Sequence, residues 1–141
     1  MKRNLLLYVM GALAAAGVSV SAYLTYLSAM PPSSCLIGEF SIFSCDRVIW
    51  SQYSRFYGVP VAPLGLAWFV IALGLIVMTW RDERFKRYVL AWSLLGAAGV
   101  AGFVYTELFL LGAVCPWCTV AHVLGLGILA LSLTAMRRPS S

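Results

Sequence analysis

The stretch Cys115-Pro116-Trp117-Cys118 separates two long apolar runs near the end of the chain. Because only a short turn fits between the two runs, the stretch predicts the tip of a helical hairpin. Two cysteines at this spacing can close a small disulfide ring or bind a metal ion, and a helix start would favour the thiolate of one of them. The chemistry of this CxxC depends on its surroundings and on the two other cysteines, Cys35 and Cys45.

The composition of the whole chain is that of a membrane protein. Of its 141 residues, 62% are hydrophobic and 11% are charged, and the mean hydropathy is +0.89, whereas soluble domains carry roughly 25% charged residues. The net charge of +5 comes from short basic clusters at the ends of apolar runs, which is the pattern that orients membrane proteins. This distribution argues against nucleic-acid binding.

Four apolar runs are long enough to cross a bilayer. They cover about residues 5–30, 64–80, 88–114 and 117–136. A cleaved signal peptide is the alternative interpretation of the first run, but that run is longer than the apolar stretch of roughly 7 to 15 residues in a signal peptide. We therefore predict an all-α membrane protein with one domain over residues 1–141, built as a bundle of four transmembrane helices.

Residues 31–63 are predicted to form an external loop. Pro31-Pro32 ends the first helix, because proline cannot donate the backbone hydrogen bond and restricts the residue before it. Within the loop, apolar residues recur at helical spacing from Asp46 to Tyr57, which predicts a short amphipathic helix lying at the membrane interface. Pro63, or a residue just after it, is expected to open the second helix.

The basic residues predict the orientation of the bundle. Arg47 and Arg55 lie in the external loop, and the others lie at the N-terminus, between the second and third runs, and at the C-terminus. These others are Lys2, Arg3, Arg81, Arg84, Lys86, Arg87, Arg137 and Arg138. The positive-inside bias therefore predicts a multi-pass protein of the plasma (inner) membrane, surrounded by lipid, with both termini in the cytoplasm. All four cysteines then face outward, where disulfides persist.

Four outward-facing cysteines admit three interpretations. Structural disulfides would suit the loop pair Cys35 and Cys45, but a ring closed by Cys115 and Cys118 would constrain little of the chain. Four thiolates could bind a metal ion, although their spacing is awkward and the compartment is oxidising. A metal-binding or disulfide-stapled structural membrane protein is thus the alternative to the third interpretation, thiol–disulfide exchange.

The surroundings of Cys118 favour exchange. Cys115 is expected to cap the fourth helix and Pro116 to be its first residue, where proline is preferred. Cys118 then lies in the first turn, where unpaired backbone N–H groups and the helix dipole favour a thiolate. His122 follows one turn later as a candidate hydrogen-bond donor or proton source, because ionisable residues inside membranes are commonly functional.

Electrons taken from external thiols need an acceptor. The sequence contains no haem-attachment, flavin or dinucleotide motif, so a membrane quinone is the expected acceptor. Electrons would enter from an external thiol protein at Cys35 and Cys45, pass to Cys115 and Cys118 through a mixed disulfide, and leave to the quinone.

The order of these parts resembles the vitamin K epoxide reductase family, in particular its prokaryotic quinone-linked disulfide oxidases. The resemblance extends over nearly the whole chain. The residues that carry it are Cys35, Cys45, Ser51, Gly58-Val59-Pro60, Leu64-Gly65-Leu66 and Cys115-Pro116-Trp117-Cys118.

The resemblance implies a pocket for a quinone of the ubiquinone or menaquinone type, inside the bundle and beneath the first loop. Cys118 would face the quinone, Cys115 would be its partner in the active disulfide, Cys45 would attack Cys115, and Cys35 would exchange with the external protein. Ser51 would stabilise the loop or its thiolate.

Two departures from the family pattern imply different quinone contacts. Val61 and His122 stand where other members carry a quinone-binding asparagine and a ligand-binding tyrosine, so a quinone is expected as the acceptor rather than vitamin K epoxide. Further pocket residues are expected to be Trp117, Phe56 and Leu66. The sequence ends at Ser141 without the fused thioredoxin-like domain of many bacterial members, so a separate thioredoxin-like protein is the expected partner.

The second and third runs contain an acidic residue, small residues and aromatic residues. Glu107 is expected near the outer interface, where its charge is less costly, with proton transfer as one possible role. Small residues from Gly96 to Gly102 are expected to let neighbouring helices approach closely. Several aromatic residues are expected to be interfacial anchors or packing residues, namely Trp68, Trp80, Trp92 and Tyr105.

Overall fold

The computed structural model describes residues 2–29, 55–56, 59–112 and 116–137. In chain order, its elements are helix α1 (Lys2–Ala29), strands β1 (Arg55–Phe56) and β2 (Val59–Pro60), and helices α2 (Val61–Arg81), α3 (Phe85–Tyr105) and α4 (Pro116–Arg137). Helix α3 continues without a break into a π-helical segment, Thr106–Leu111.

The helices of this described part confirm the predicted bundle of four membrane spans. Each is long and apolar enough to cross a bilayer, and the candidate spans are Arg3–Ala29, Val61–Arg81, Phe85–Leu110 and Pro116–Arg137. Large apolar side chains cover the outer surface, for example Phe109, which is 73% exposed. Such a surface matches lipid, where the helices satisfy their own backbone hydrogen bonds.

Two predicted boundaries around the external loop differ from the structure. Helix α2 begins at Val61, so Pro63 lies inside its first turn, where the missing N–H would have no partner within the helix. The predicted loop helix does not continue to Tyr57, because Arg55–Phe56 pairs antiparallel with Val59–Pro60 and its backbone bonds therefore run across a ladder. The remainder of that predicted helix lies outside the described residues.

A tight turn joins α2 to α3 at one end of the bundle. The backbone N–H of Asp82 donates to the carbonyl of Met78 at 3.0 Å, and the Asp82 carboxylate accepts from the N–H of Arg84 at 2.9 Å. Glu83 in this turn forms an ion pair with Arg3 of α1. We call this the basic end of the bundle, because it holds the start of α1, the turn and the end of α4 with their basic residues; the opposite end, where α4 begins, is the cysteine end.

The tightly packed core lies in the half of the bundle nearer the basic end. Its buried members are Leu7, Met10, Ala14, Phe69, Ile76, Val89 and Ile128. The ring of Phe69 lies directly against Gly17 of α1, where a Cβ atom would overlap it. The close packing of α1 on α2 therefore depends on this glycine.

Hydroxyl groups inside the bundle are satisfied by their own helices. Thr79, Ser93 and Ser132 each donate to the carbonyl one turn earlier, at 2.7 to 2.8 Å. The Oγ atoms of Ser93 and Ser132 lie 3.4 Å apart across the contact of α3 with α4. These bonds provide partners that lipid cannot provide.

Two tryptophans join α2 to α3. The indole N–H of Trp68 donates to the carbonyl of Trp92 at 3.3 Å, and that of Trp92 donates to the carbonyl of Trp68 at 3.0 Å. A Cβ on Gly96 would overlap the Trp68 ring. Gly96 of α3 thus makes room for the large side chain of Trp68 on α2. We had predicted that the small residues of this run let neighbouring helices approach closely.

Candidate functional site

A cavity of about 270 Å³ lies in the half of the bundle nearer the cysteine end, and all four described helices contribute to its wall. Most of the wall is apolar. Hydroxyl, thiol and imidazole groups on it come from α1 and α4, namely Ser21, Ser28, Cys118 and His122.

Glycines make room for the cavity where the four helices meet. Gly65, Gly96, Gly99 and Gly125 all line it, and a Cβ on Gly99 would meet nothing within 4 Å. Because these positions have no side chains, the space between the helix axes remains open. The same helices are tightly packed only two to three turns further along, towards the basic end.

Aromatic rings shape the cavity. Trp68 lines it and is fixed by its reciprocal hydrogen bonds with Trp92. Phe103 of α3 packs against His122 of α4, with ring centroids 5.7 Å apart, and both rings face the cavity. The histidine is therefore held by a ring contact, which restricts the directions in which its N–H can point.

Cys118 is the third residue of α4 and lines the cavity. Its side chain is half-buried. A position in the first turn places it near backbone N–H groups that have no partner within the helix, and near the positive end of the helix dipole. An anion is favoured there, and the thiolate is the form of cysteine that reacts in exchange and redox chemistry.

The structure brings three of the predicted site residues to one cavity, Val61, Cys118 and His122. Trp117 and Leu66 are not among its lining residues. The ring of Trp117 instead packs edge-on against Tyr23 of α1, with centroids 5.1 Å apart. For Phe56 only the backbone is described, and Cys35, Cys45, Ser51 and Cys115 lie outside the described residues.

Several lining residues were not predicted. The unpredicted lining residues on α1 are Ser21, Leu24 and Ser28. Their spacing of three and four residues places them on one face of the helix. That spacing was a usable signal, but it cannot tell a cavity face from an ordinary helix contact. Gly99 and Phe103 were also missed as lining residues, because nothing in their local sequence indicates an open space.

Three buried polar atoms have no hydrogen-bond partner among the described residues, and all three lie towards the cysteine end. They are the hydroxyl of Tyr23, Oε1 of Glu107 and Nε1 of Trp117. Glu107 is only 2% exposed, so its side chain is buried among the helices. It is the second residue of the π-helical segment, and its backbone carbonyl accepts a hydrogen bond from the N–H of Gly112.

Comparison with known proteins identifies the family. The model of the vitamin K epoxide reductase family matches residues 8–133, which include every described helix in whole or in large part. The chain belongs to this family. It is also similar to a protein of Archaeoglobus fulgidus described as an uncharacterized protein, with 31% identity over 120 residues that cover 85% of this chain and 90% of that protein.

Membership confirms the resemblance seen in the sequence, and it implies membrane thiol–disulfide oxidoreductase activity in general. Members of the family use quinones generally.

Proposed function

We propose that this chain is a quinone-dependent thiol oxidase whose quinone binds in the cavity beside Cys118. The observation that carries the proposal is the position of a helix-start cysteine on the wall of an apolar cavity formed by all four helices. A thiol at the boundary between an aqueous loop and a lipid-like cavity can react with both a protein and a membrane-soluble oxidant.

The cavity suits a quinone head group in size and chemistry. Its volume of about 270 Å³ exceeds that of an engineered cavity of about 150 Å³ that binds benzene. Aliphatic and aromatic side chains would contact the ring, and His122 and Ser21 can donate hydrogen bonds to its carbonyl oxygens, whereas the Ser28 hydroxyl donates to the carbonyl of Thr25 at 2.7 Å. The large exposed helix surface lets the isoprenoid tail remain in lipid.

In the proposed route, electrons enter from a separate thioredoxin-like protein at Cys35 and Cys45 and reach Cys115 by thiol–disulfide exchange. Oxidation of the two thiols of Cys115 and Cys118 to a disulfide then releases two electrons and two protons. A quinone that takes up both becomes a quinol. Cys118 would be the cysteine nearer the quinone, because it lines the cavity.

The alternative function is a structural membrane protein that is stapled by disulfides or binds a metal ion. Within the described ranges, no three His, Cys, Asp or Glu side chains are grouped to hold a metal ion, but three of the four cysteines lie outside those ranges. Metal analysis of the purified protein therefore belongs beside the activity assay.

The test is quinone reduction by the purified full-length chain with a dithiol as electron donor. Cys118→Ser should reduce turnover to the background rate, because it removes the sulfur from the cavity wall. Val120→Ala, a change of a lipid-exposed residue two positions later (44% exposed), should retain the wild-type rate. Full activity of Cys118→Ser, or a wild-type chain that contains stoichiometric zinc and reduces no quinone, would refute the proposal.

A further inference from the structure

The contacts between α3 and α4 show which residues face one another across these antiparallel helices. Ser93 lies opposite Ser132, with their Oγ atoms 3.4 Å apart. Phe103, ten residues further along α3, lies opposite His122, ten residues back along α4. The two antiparallel helices therefore keep the same register over these ten residues, since each rises about 1.5 Å per residue.

This register places Glu107 level with Cys118. Glu107 is four residues beyond Phe103 towards the cysteine end, and Cys118 is four residues before His122, so each lies about 6 Å further along its helix axis. The π-helical segment begins at Thr106, so α-helical geometry extends to Tyr105 and Glu107 is only the second residue of the wider segment.

The two residues also lie on facing sides of their helices. Ser93, Val100 and Glu107 follow one another at seven-residue intervals, which is about two helical turns and returns to the same face. On α4 the same interval relates Ser132, Gly125 and Cys118. The first members of the two series are in contact and the second members both line the cavity.

The Glu107 carboxyl group is an uncommon feature of a membrane span. Only 2% of the Glu107 residue is exposed, and its Oε1 has no hydrogen-bond partner among the described residues. Leaving such a group unpaired in an apolar interior is costly, and intramembrane carboxylates commonly serve proton transfer. The buried hydroxyls of Ser93 and Ser132, by contrast, donate to carbonyl groups of their own helices.

We infer that Glu107 is the proton acceptor for the Cys118 thiol, an inference that rests on the proposed quinone-dependent function. Glu107 takes the proton of Cys118 and leaves a thiolate at the cavity wall. Cys115 and Cys118 then close their disulfide as two electrons pass to the quinone. Glu107 delivers its proton to a quinone oxygen and the Cys115 thiol provides the second proton, so that two thiols and a quinone become a disulfide and a quinol, and Glu107 is a carboxylate again.

The first test needs no quinone. The reduced full-length chain is treated with N-ethylmaleimide across a range of pH, and mass spectrometry follows alkylation of the Cys118 peptide. A neighbouring carboxylate disfavours the thiolate, so in Glu107→Gln the alkylation profile should move to lower pH, with a several-fold faster reaction near neutral pH. The matched control is Glu83→Gln, which removes the same charge at the basic end and should leave the profile unchanged.

Among the described residues, the ionisable side chains of His122 on α4 and Tyr23 on α1 lie towards this end of the bundle, the outer half of α2 has none, and every variant retains them. The difference between Glu107→Gln and wild type therefore isolates the carboxyl group. Superimposable alkylation profiles would overturn the inference, because a carboxyl group beside the sulfur must affect thiolate formation.

The second test measures quinone reduction by the same variants. Glu107→Gln should lose on the order of 100-fold in turnover, as expected when a positioned proton acceptor is removed, and Glu107→Asp should retain more activity because it keeps a carboxyl group. Wild-type turnover in Glu107→Gln would overturn the inference and leave the quinone-dependent function intact. A wild-type chain without quinone reduction would refute that function, while the alkylation profiles would still decide whether Glu107 faces Cys118.

A folding defect in Glu107→Gln would not end the comparison. Glu107→Asp withdraws the carboxyl group from the sulfur by one methylene, so it should shift the alkylation profile in the same direction and to a smaller extent. An unchanged profile in a folded Glu107→Asp would count against the inference in the same way.

Discussion

At the scale of single residues, the cavity depends on glycines of α3, which have no side chains to fill the space between the helices. Gly96 leaves room for the Trp68 ring, and Gly99 leaves open space that the cavity includes. In the proposed quinone site, these two glycines leave room for the ligand, and Cys118 and His122 are polar groups on the wall that would act on it.

A side chain at Gly99 should obstruct quinone binding. Gly99→Leu should raise the KM for quinone by about tenfold or more, since loss of roughly 1.4 kcal/mol of binding free energy corresponds to a factor of ten. Gly102→Leu is the matched control, because it is the same change in the same helix at an exposed position with open space around it.

Quinone reduction at several quinone concentrations checks this prediction, and thermal unfolding verifies that both variants are folded. Equal KM values in the two leucine variants would show that the quinone does not occupy the cavity beside Gly99.

At the scale of elements, α1 and α2 are in close contact at Gly17 and Phe69. The contact is continued by Gly65, where a Cβ would lie 3.7 Å from Ser21 Oγ, and by the ion pair of Arg3 with Glu83. Small residues let transmembrane helices approach and pack closely. This packing gains nothing from the hydrophobic effect, because lipid is as apolar as the helix surfaces.

Filling Gly17 should separate α1 from α2. Gly17→Ala should lower the free energy of unfolding by about 1 to 3 kcal/mol, the usual cost of overpacking. Gly11→Ala in the same helix has no neighbour within 4 Å and should instead be neutral or stabilise by up to about 1 kcal/mol, because alanine favours helix over glycine.

Unfolding of the purified variants in mixed micelles by increasing denaturing detergent measures both effects. Combining Gly17→Ala with Phe69→Leu should restore part of the loss, since it removes the ring that the new methyl group meets. A Gly17→Ala protein as stable as Gly11→Ala would contradict the described packing.

At the scale of the whole molecule, the bundle has chemically distinct ends. Arg3, Arg84 and Arg137 lie at the basic end with the Glu83 ion pair, and Cys118 lies near the opposite end. The tight core occupies the basic half and the cavity occupies the other half. The buried core and the cavity proposed as the quinone site thus lie mainly in different halves of the bundle.

The positive-inside bias predicts that the basic end is cytoplasmic. A cysteine introduced at exposed Arg84 should therefore be inaccessible to a membrane-impermeant maleimide in intact cells and should react in inverted membrane vesicles. Mass spectrometry separates its peptide from those of the native cysteines. Labelling of Arg84→Cys in intact cells would contradict the predicted orientation and place the cysteine end on the cytoplasmic side.

The sequence by itself determined the four spans and the family. Apolar length and the position of Pro116 are local properties, so the ends of α1 and α4 at Ala29 and Pro116 agree with the predicted runs to within one residue. The resemblance also directed attention to Cys118 and His122, which the structure places on one cavity wall.

Only the tertiary structure decided which way the other side chains face. Trp117 was expected in the pocket, yet its ring packs on Tyr23, because rotation of α4 against α1 is set by packing and not by the residue itself. The sequence also did not show that the Glu107 side chain is buried among the helices, where it is only 2% exposed. A cavity is a space between helices, and its residues come from four separate segments, so no single stretch of the sequence could define it.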